Sequence, residues 1–593
     1  MTVIEKLAAL RKLMLQEGLT AYIVPGTDPH ASEYMAAHWM ETTWLSGFNG
    51  ETGTVLVTHD KAFLWTDSRY YLQAEKELEG SSIELMRESD IDCPTIPQWL
   101  TDNCQGVVGI NPEMWSVNGY NNLRDTLQEA GLSLKSIDLI APLWTEDRPH
   151  IPQTPLYEYS VRYAGEEVSA KLRRIRKVMA EKKANAMIVS ALDEIAWLLN
   201  IRGFDVEYNP VVISYLVLEQ DQCTLFVLPE KVDRKAAEYL QREGILVRGY
   251  DDVYAYIRTI KGTILYDGAR VNQALFEAIN TEQKTINAQS PILKDKSHKN
   301  AVELEGERKA MRQDAVALTR FFKWLEEEAF QSEQTEWTLM EKLHEFRMMG
   351  ENFVEESFGT IAGYKGNGAI VHYAATKDNC AIVRPEGMLL LDSGGQYLDG
   401  TTDITRTVWL GGSIPEQAKL DYTYVLKGHI ALATIRWPRG TRGNQLDALA
   451  KQYMWQAGIT YGHGTGHGVG HFLGCHEGPQ NVRTDMNPTV LEAGQICSDE
   501  PGIYRTNKWG VRIENLVAVQ PCERTHAATT EDDFLCWETL TLCYYDTSLI
   551  ELSLLTEQER VWLNSYHQRV ADEICPLLNA DEASWLRGKC KAI

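Results

Sequence analysis

Residues 10–25, LRKLMLQEGLTAYIVP, align without a gap on residues 175–190, IRKVMAEKKANAMIVS. Arg11, Lys12, Met14, Ala21, Ile23 and Val24 recur as Arg176, Lys177, Met179, Ala186, Ile188 and Val189, and Asp28 recurs as Asp193 at the same offset. Each copy reads as an amphipathic helix running into a buried strand, the opening of an α/β domain. Two related α/β domains are therefore expected in the N-terminal half. A chain of 593 residues is also too long for a single hydrophobic core. Pro142, Pro149, Pro152 and Pro155 in APLWTEDRPHIPQTPLYEY resist regular structure and place the first boundary near residue 156. The second falls near residue 298. There Asn300 and Glu303 resemble a capping box, and Val302, Met311, Val316, Leu318, Phe321 and Leu325 follow roughly helical spacing. The expected organisation is 1–156, 157–298 and 299–593, with strands, short turns and helices interleaved in the last part.

Several function classes are excluded by composition. A formal net charge of −25 with no visible Lys/Arg cluster argues against a nucleic-acid partner. The eleven cysteines are scattered and include no C-x-x-C pair, which fits a reducing compartment. MTVIEKLAALRKLMLQEG mixes Glu5, Lys6, Arg11 and Lys12 into an amphipathic pattern and does not read as a signal peptide. With no run of eighteen uncharged apolar residues, a membrane span is not expected either. The expected location is the cytoplasm.

Candidate chemistry lies beyond residue 299. HGTGHGVGHFLGCH, residues 463–476, holds four of the fourteen histidines among glycines that each cost about 1 kcal/mol in a helix relative to alanine. An extended reading puts His463, Thr465 and His467 on one side as a site wall, with the glycines admitting a close backbone. A Gly-rich loop with solvated histidines is the alternative. In GMLLLDSGGQYLDGTTDITRTVWLG an apolar strand ends at Asp392. A turn at Asp399-Gly400 follows, then a strand alternating Thr401, Asp403, Thr405, Thr407, so the segment reads as a hairpin. Asp392 is expected near the core, where an unpaired carboxylate is costly and needs a cation. In ICSDEPGIYRTNKWGVRIENLVAVQ, Glu500 follows one strand, and Glu514 sits mid-strand in a second running from Gly510 to about Val519, with Arg512 open as its salt-bridge partner. Four carboxylates and a nearby imidazole suit two divalent metal ions.

These residues, in this order, resemble the pita-bread metallopeptidases, and most closely the Xaa-Pro aminopeptidases (aminopeptidase P) in their long, three-domain cytosolic form. WLSGFNGETGTVLVTHDKAFLWTDSRYYLQAEKEL, ALDEIAWLLNIRG and ENFVEESFGTIAGYKGNGAIVHY extend the likeness over nearly the whole chain. The resemblance implies a fold of α/β (α+β) class, two related N-terminal α/β domains followed by a C-terminal pita-bread catalytic domain. It implies metal ligands at Asp392, Asp403, His467, Glu500 and Glu514, active-site histidines at His372, His463 and His476, and site-lining or supporting roles for Tyr504 and Arg512.

It also implies two divalent ions, with Mn²⁺ as the family expectation. Asp403 would bind one ion through both oxygens, Asp392 and Glu514 would bridge, and His467 would complete the other ion's shell. Glu500 would also pass protons, and His476 would donate to the developing oxyanion. The substrates implied are peptides with proline at position two, and the assembly a homodimer. A prolidase shares the five ligands, whereas a creatinase-like hydrolase or a metal-free peptide- or histone-binding module lacks them. His471 has no role in the resemblance and reads as structural or exposed.

Overall fold

The computed structural model describes residues 1–280, 282–522 and 533–593, which form two compact units: residues 1–161 with 166–293, and residues 162–165 with 294–593. In the first unit the helix Val3–Gln16 buries Leu7, Leu10 and Met14 and leads into the strand Ala21–Pro25; the helix Val168–Glu181 buries Leu172, Ile175 and Met179 and leads into Ala186–Val189. Each of these strands lies inside a six-stranded sheet. The first sheet runs in space Glu84–Arg87, Ala62–Thr66, Thr54–Thr58, Ala21–Pro25, Val107–Ile110, Ser133–Ser136. The second runs Ile245–Arg248, Cys223–Val227, Ser214–Glu219, Ala186–Val189, Thr263–Tyr266, Lys284–Asn287.

The sense of pairing matches position by position. Both repeat strands are antiparallel to one neighbour and parallel to the other, and the outer strands follow the same pattern. The repeat in sequence is thus a repeat in topology. It lapses after the strand, where Asp28 lies in an irregular segment but Asp193 lies in the first turn of the helix Leu192–Leu199.

The second unit opens with the helix Ala301–Glu327. Asn300 and Glu303 close its capping box, and Met311, Leu318, Phe321 and Leu325 are buried along it. Val302, expected on that face, is 43% exposed. Glu303, which reaches back to the cap, is buried in its place, and Glu307 and Asp314 continue the same face at helical spacing. Buried acids on an apolar stripe were not expected.

Three sheets of three or more strands follow among the described residues of this unit. One is Ile361–Tyr364, Met388–Ser393, Ile404–Trp409; a second is Phe353–Glu356, Gly395–Tyr397, Gly400–Thr401. The largest is Arg436–Pro438, Phe534–Thr539, Asn515–Pro521, Ile496–Asp499, Gly466–Gly468, Glu477–Val482. Leu339 and Leu343 of the helix Glu336–Met348, Val425 and Leu426 of Glu416–Thr434, and Leu563 and Val570 of Glu557–Ile574 pack into one core with Ala362, Leu389 and Leu391 from the sheet. This is the pita-bread arrangement. Its inner surface carries the candidate site.

Two expected elements are divided: the strand read from Thr401 to Thr407 is split into Gly400–Thr401 and Ile404–Trp409, which lie in different sheets. The strand predicted from Gly510 to Val519 is two: Trp509–Arg512 pairs with Gly502–Arg505 in a small hairpin, and Asn515–Pro521 joins the six-stranded sheet. Ile513 and Glu514 lie at the crossover. Their N–H groups donate to the Pro501 and Thr405 carbonyls, so the chain changes sheets without stranding a backbone donor.

Candidate metal centre

Asp392 is the fifth residue of Met388–Ser393 and stands opposite Thr405 in the antiparallel neighbour. Asp392 and Thr405 share one face of the pair, and Asp403, just ahead of the strand Ile404–Trp409, is near enough for its charge to raise the Asp392 carboxyl. Thr405 Oγ1 donates to Glu514 Oε2 at 2.8 Å, which draws the crossover residue onto that face. His467 enters from the middle of Gly466–Gly468, a short strand held between Glu477–Val482 and Ile496–Asp499. Glu500 follows the last of these strands, and its N–H donates to the Thr465 carbonyl.

His467 Nε2 lies 3.3 Å from Asp403 Oδ2 and 3.5 Å from Glu500 Oε1. Its Nδ1 is 3.0 Å from the Gly468 carbonyl. A carbonyl can only accept, so Nδ1 donates to it and Nε2 is left facing the two carboxylate oxygens. A backbone bond on the other ring nitrogen is how a metal-binding imidazole is commonly oriented. Asp403, His467 and Glu514 each offer a donor atom within 4.8 Å of one another. Asp392 Oδ1 is buried and has no hydrogen-bond partner among the described residues. Oxygen-rich donors with one imidazole therefore fit hard divalent ions.

The charges point the same way. Burial, followed by the charges of Asp403, Glu500 and Asp392, pushes the Glu514 carboxyl well above the usual carboxylate range. Burial also raises Asp392, against the pull of Arg512, and Glu500, against the pull of His467. Asp403 alone is held low, because the hydrogen bond and charge of His467 outweigh its burial.

Arg512 was left open as a partner for Glu514; it pairs with Asp392 instead, Nη2 to Oδ2 at 2.6 Å. Its Nη1 donates to Tyr504 Oη at 2.8 Å, and Tyr504 Oη lies 2.8 Å from His463 Nε2. His463 Nδ1 donates to the Gly464 carbonyl at 2.7 Å, so the tyrosine hydroxyl donates to Nε2. A continuous chain runs from His463 through Tyr504 and Arg512 to Asp392. His372 lies on the same side: the neighbouring Val371 carbonyl accepts from Arg512, and the His372 charge acts on His463. His476 meets His467 edge to face, ring centroids 4.2 Å apart.

Two local expectations are corrected. Thr465 does not join the wall with His463 and His467; it is buried and donates to Asp447 Oδ1 at 2.6 Å, because the regular strand begins only at Gly466 and the alternation does not extend back to it. Gly466 and Gly468 are needed first of all for the protein's own backbone. A Cβ on Gly466 would collide with the Ser498 carbonyl oxygen, and one on Gly468 with that of Glu477. His471 is buried, with Glu307 Oε1 at 2.9 Å from Nδ1. Cys475 escaped the sequence reading: its thiol donates to Asp403 Oδ2 at 3.2 Å. Its adjacency to His476 was the available signal.

Residues 305–521 match the model of metallopeptidase family M24, and residues 533–593 its C-terminal region; residues 6–142 and 147–303 each match the creatinase/prolidase N-terminal domain. A probable Xaa-Pro aminopeptidase P of Laccaria bicolor is 40% identical over 99% of this chain and 93% of its own. The crystal structure of a cytosolic X-prolyl aminopeptidase with a di-nuclear active site, from Caenorhabditis elegans, superposes with a TM-score of 0.94 at 35% identity over 100% of both chains. The chain belongs to the Xaa-Pro aminopeptidase family. An Xaa-Pro dipeptidase from Bacillus anthracis shares the fold over 64% of this chain, at 21% identity and a TM-score of 0.51. Membership in this family accounts for both the paired N-terminal sheets and the M24 catalytic unit.

Burial, then the charge of Arg512, lowers the His463 pKa to about 3, and burial lowers His567 to about 4. Between roughly pH 4 and 6.5 these two imidazoles take protons in the unfolded chain and refuse them in the folded one, so their own contribution to stability declines as pH falls, opposite in sign to that of the raised carboxyls. Relative to the parent, His463→Gln should therefore gain in melting temperature as pH falls from 6.5 to 4; an unchanged difference would mean that His463 titrates normally.

Proposed function

We propose that the chain hydrolyses the first peptide bond of substrates whose second residue is proline, with two divalent ions held by Asp392, Asp403, His467, Glu500 and Glu514. The observation that carries this reading is the convergence of His467 Nε2 on the Asp403 and Glu500 oxygens, with a Glu514 oxygen in the same cluster. Such ions, when bound, supply an attacking water of lowered pKa and polarise the scissile carbonyl. Asp403, not Asp392, lies against His467 and within donor distance of Glu514, and Asp392 is turned toward Arg512. Asp403 would thus stand beside both His467 and Glu514 in holding the ions, and Asp392, with Oδ2 on Arg512, would offer its free Oδ1.

Ser498 Oγ donates to Glu500 Oε1 at 3.1 Å and fixes the carboxylate, leaving Oε2 to take the water's proton and return it to the leaving nitrogen. His476 donates to the carbonyl oxygen as it becomes tetrahedral, and His372 contacts the peptide at the rim. His463, expected to hold substrate, has both ring nitrogens engaged; its assigned role is to hold Tyr504, and through it Arg512 and Asp392. Manganese suits the donor set.

The Caenorhabditis elegans relative is cytosolic and dinuclear, and the proposal carries both features over. Among the described residues no helix is long and apolar enough to cross a membrane. A homodimer, the division into residues 1–156, 157–298 and 299–593, and a cytoplasmic location complete the proposal. The dipeptidase reading shares the ligands, and the full-length likeness to aminopeptidases favours removal of one residue from longer peptides.

Replacing the second-position proline of a peptide by alanine should lower kcat/KM by orders of magnitude; equal rates would end the proline reading and leave a metallopeptidase. Asp403→Asn should lose at least one ion per chain by elemental analysis. His476→Ala should keep its ions yet lose about 10²–10³ in kcat, with substrate affinity less affected. Loss of metal before activity would reassign His476 as a ligand.

A further inference from the structure

Three buried anchors hold the segment Val469–Glu477, and each meets a different part of it. At its start, Lys299 Nζ donates to the Val469 carbonyl. In its middle, His471 Nδ1 is hydrogen-bonded to Glu307 Oε1 at 2.9 Å, and its Nε2 lies 3.2 Å from the Tyr163 carbonyl. At its end, Lys296 is ion-paired with Glu477, whose Oε1 accepts from the Gly474 N–H at 3.0 Å. Lys296, Lys299, Glu307, His471 and Glu477 are all at most 8% exposed.

Glu307 also reaches the hairpin that bears Asp403, accepting from the Thr401 N–H at 3.3 Å, and Thr401 Oγ1 in turn accepts from the Leu473 N–H at 3.4 Å. The approach is close on both sides. A Cβ on Gly400 would collide with the Glu307 carboxylate, and one on Gly306 with the Asp399 carbonyl oxygen. Phe472 is held at φ 48°, a left-handed conformation that a bulky side chain keeps only where its surroundings impose it.

None of these groups reaches the candidate metal centre itself. The segment they clamp carries Cys475 and His476, which do. Gly470 and Gly474 give the segment wide conformational freedom in isolation, whereas one hydrogen-bond donor at a reacting centre has to be placed within about 0.5 Å. Water-exposed contacts would not supply that constraint, but a buried and satisfied polar network does.

We propose that Lys299, His471, Glu307 and the Lys296–Glu477 pair are positioning residues, which set one conformation of Val469–Glu477 and thereby place His476 for catalysis. The inference rests on the reading of His476 as the donor to the carbonyl oxygen.

The test uses His471→Leu and Lys299→Met in the full-length, metal-loaded protein, with Lys299→Arg and His471→Asn as rescue variants that keep a donor. Elemental analysis should find the parent ion content in all four. In the first two, kcat should fall about 10–100-fold while KM stays within about threefold, and amide exchange should quicken within residues 469–477 but not in the helix Glu416–Thr434. The rescue variants should recover most of the rate.

Exchange unchanged in that segment, or quickened with kcat within about twofold of the parent, overturns the proposal. Should Lys299→Met fail to fold, Glu477→Gln, which keeps the bond to Gly474 and loses the charge facing Lys296, carries the same readouts. A parent inactive on Xaa-Pro peptides would remove the substrate reading, and the exchange measurement would then decide the anchoring by itself.

Discussion

Mutual repulsion among Asp392, Asp403, Glu500 and Glu514 is the constraint that organises the second unit. Four carboxylates gathered where burial raises three of their pKa values cannot be tolerated unless positive charge is supplied. Among the described residues Arg512 supplies a permanent positive charge to the group, on Asp392. The His467 imidazole, 3.3 Å from Asp403, acts on that one acid most directly. The acids, the arginine and the imidazole form a coherent set once divalent cations occupy the space between them.

Holding such a group together needs a rigid frame, and each acid is placed by a backbone device. Asp392 is placed opposite Thr405 by strand pairing, and Asp403 by the residues leading into that same strand. Glu514 sits where the chain crosses between two sheets, tied to Thr405 through both its backbone and its side chain. His467 lies on a strand whose glycines let Ser498 and Glu477 backbones come closer than any side chain would permit. The same economy explains the buried acids of the helix Ala301–Glu327. Glu307 and Asp314 face inward to meet the His471 imidazole and the Arg347 guanidinium, partners that an aliphatic stripe could not supply.

What the sequence by itself determined follows from local periodicity and residue type. The helix–strand repeat, the capping box at Asn300, the hairpin around Asp399-Gly400, and the acids and imidazole of the site all depend on short-range pattern, and family likeness joined them into one centre. Tertiary structure alone decided which charge meets which. Arg512 neighbours Glu514 in sequence but reaches Asp392, because residues 513 and 514 carry the chain from one sheet to another. Thr405 and Cys475 gained their contacts with Glu514 and Asp403 from strand pairing and loop closure across distant segments. His471, without a role in the sequence pattern, acquired one from Glu307. Side-chain partners are set by which backbone segments are brought within a few ångströms, and that distance is a property of the whole fold and not of any window of residues.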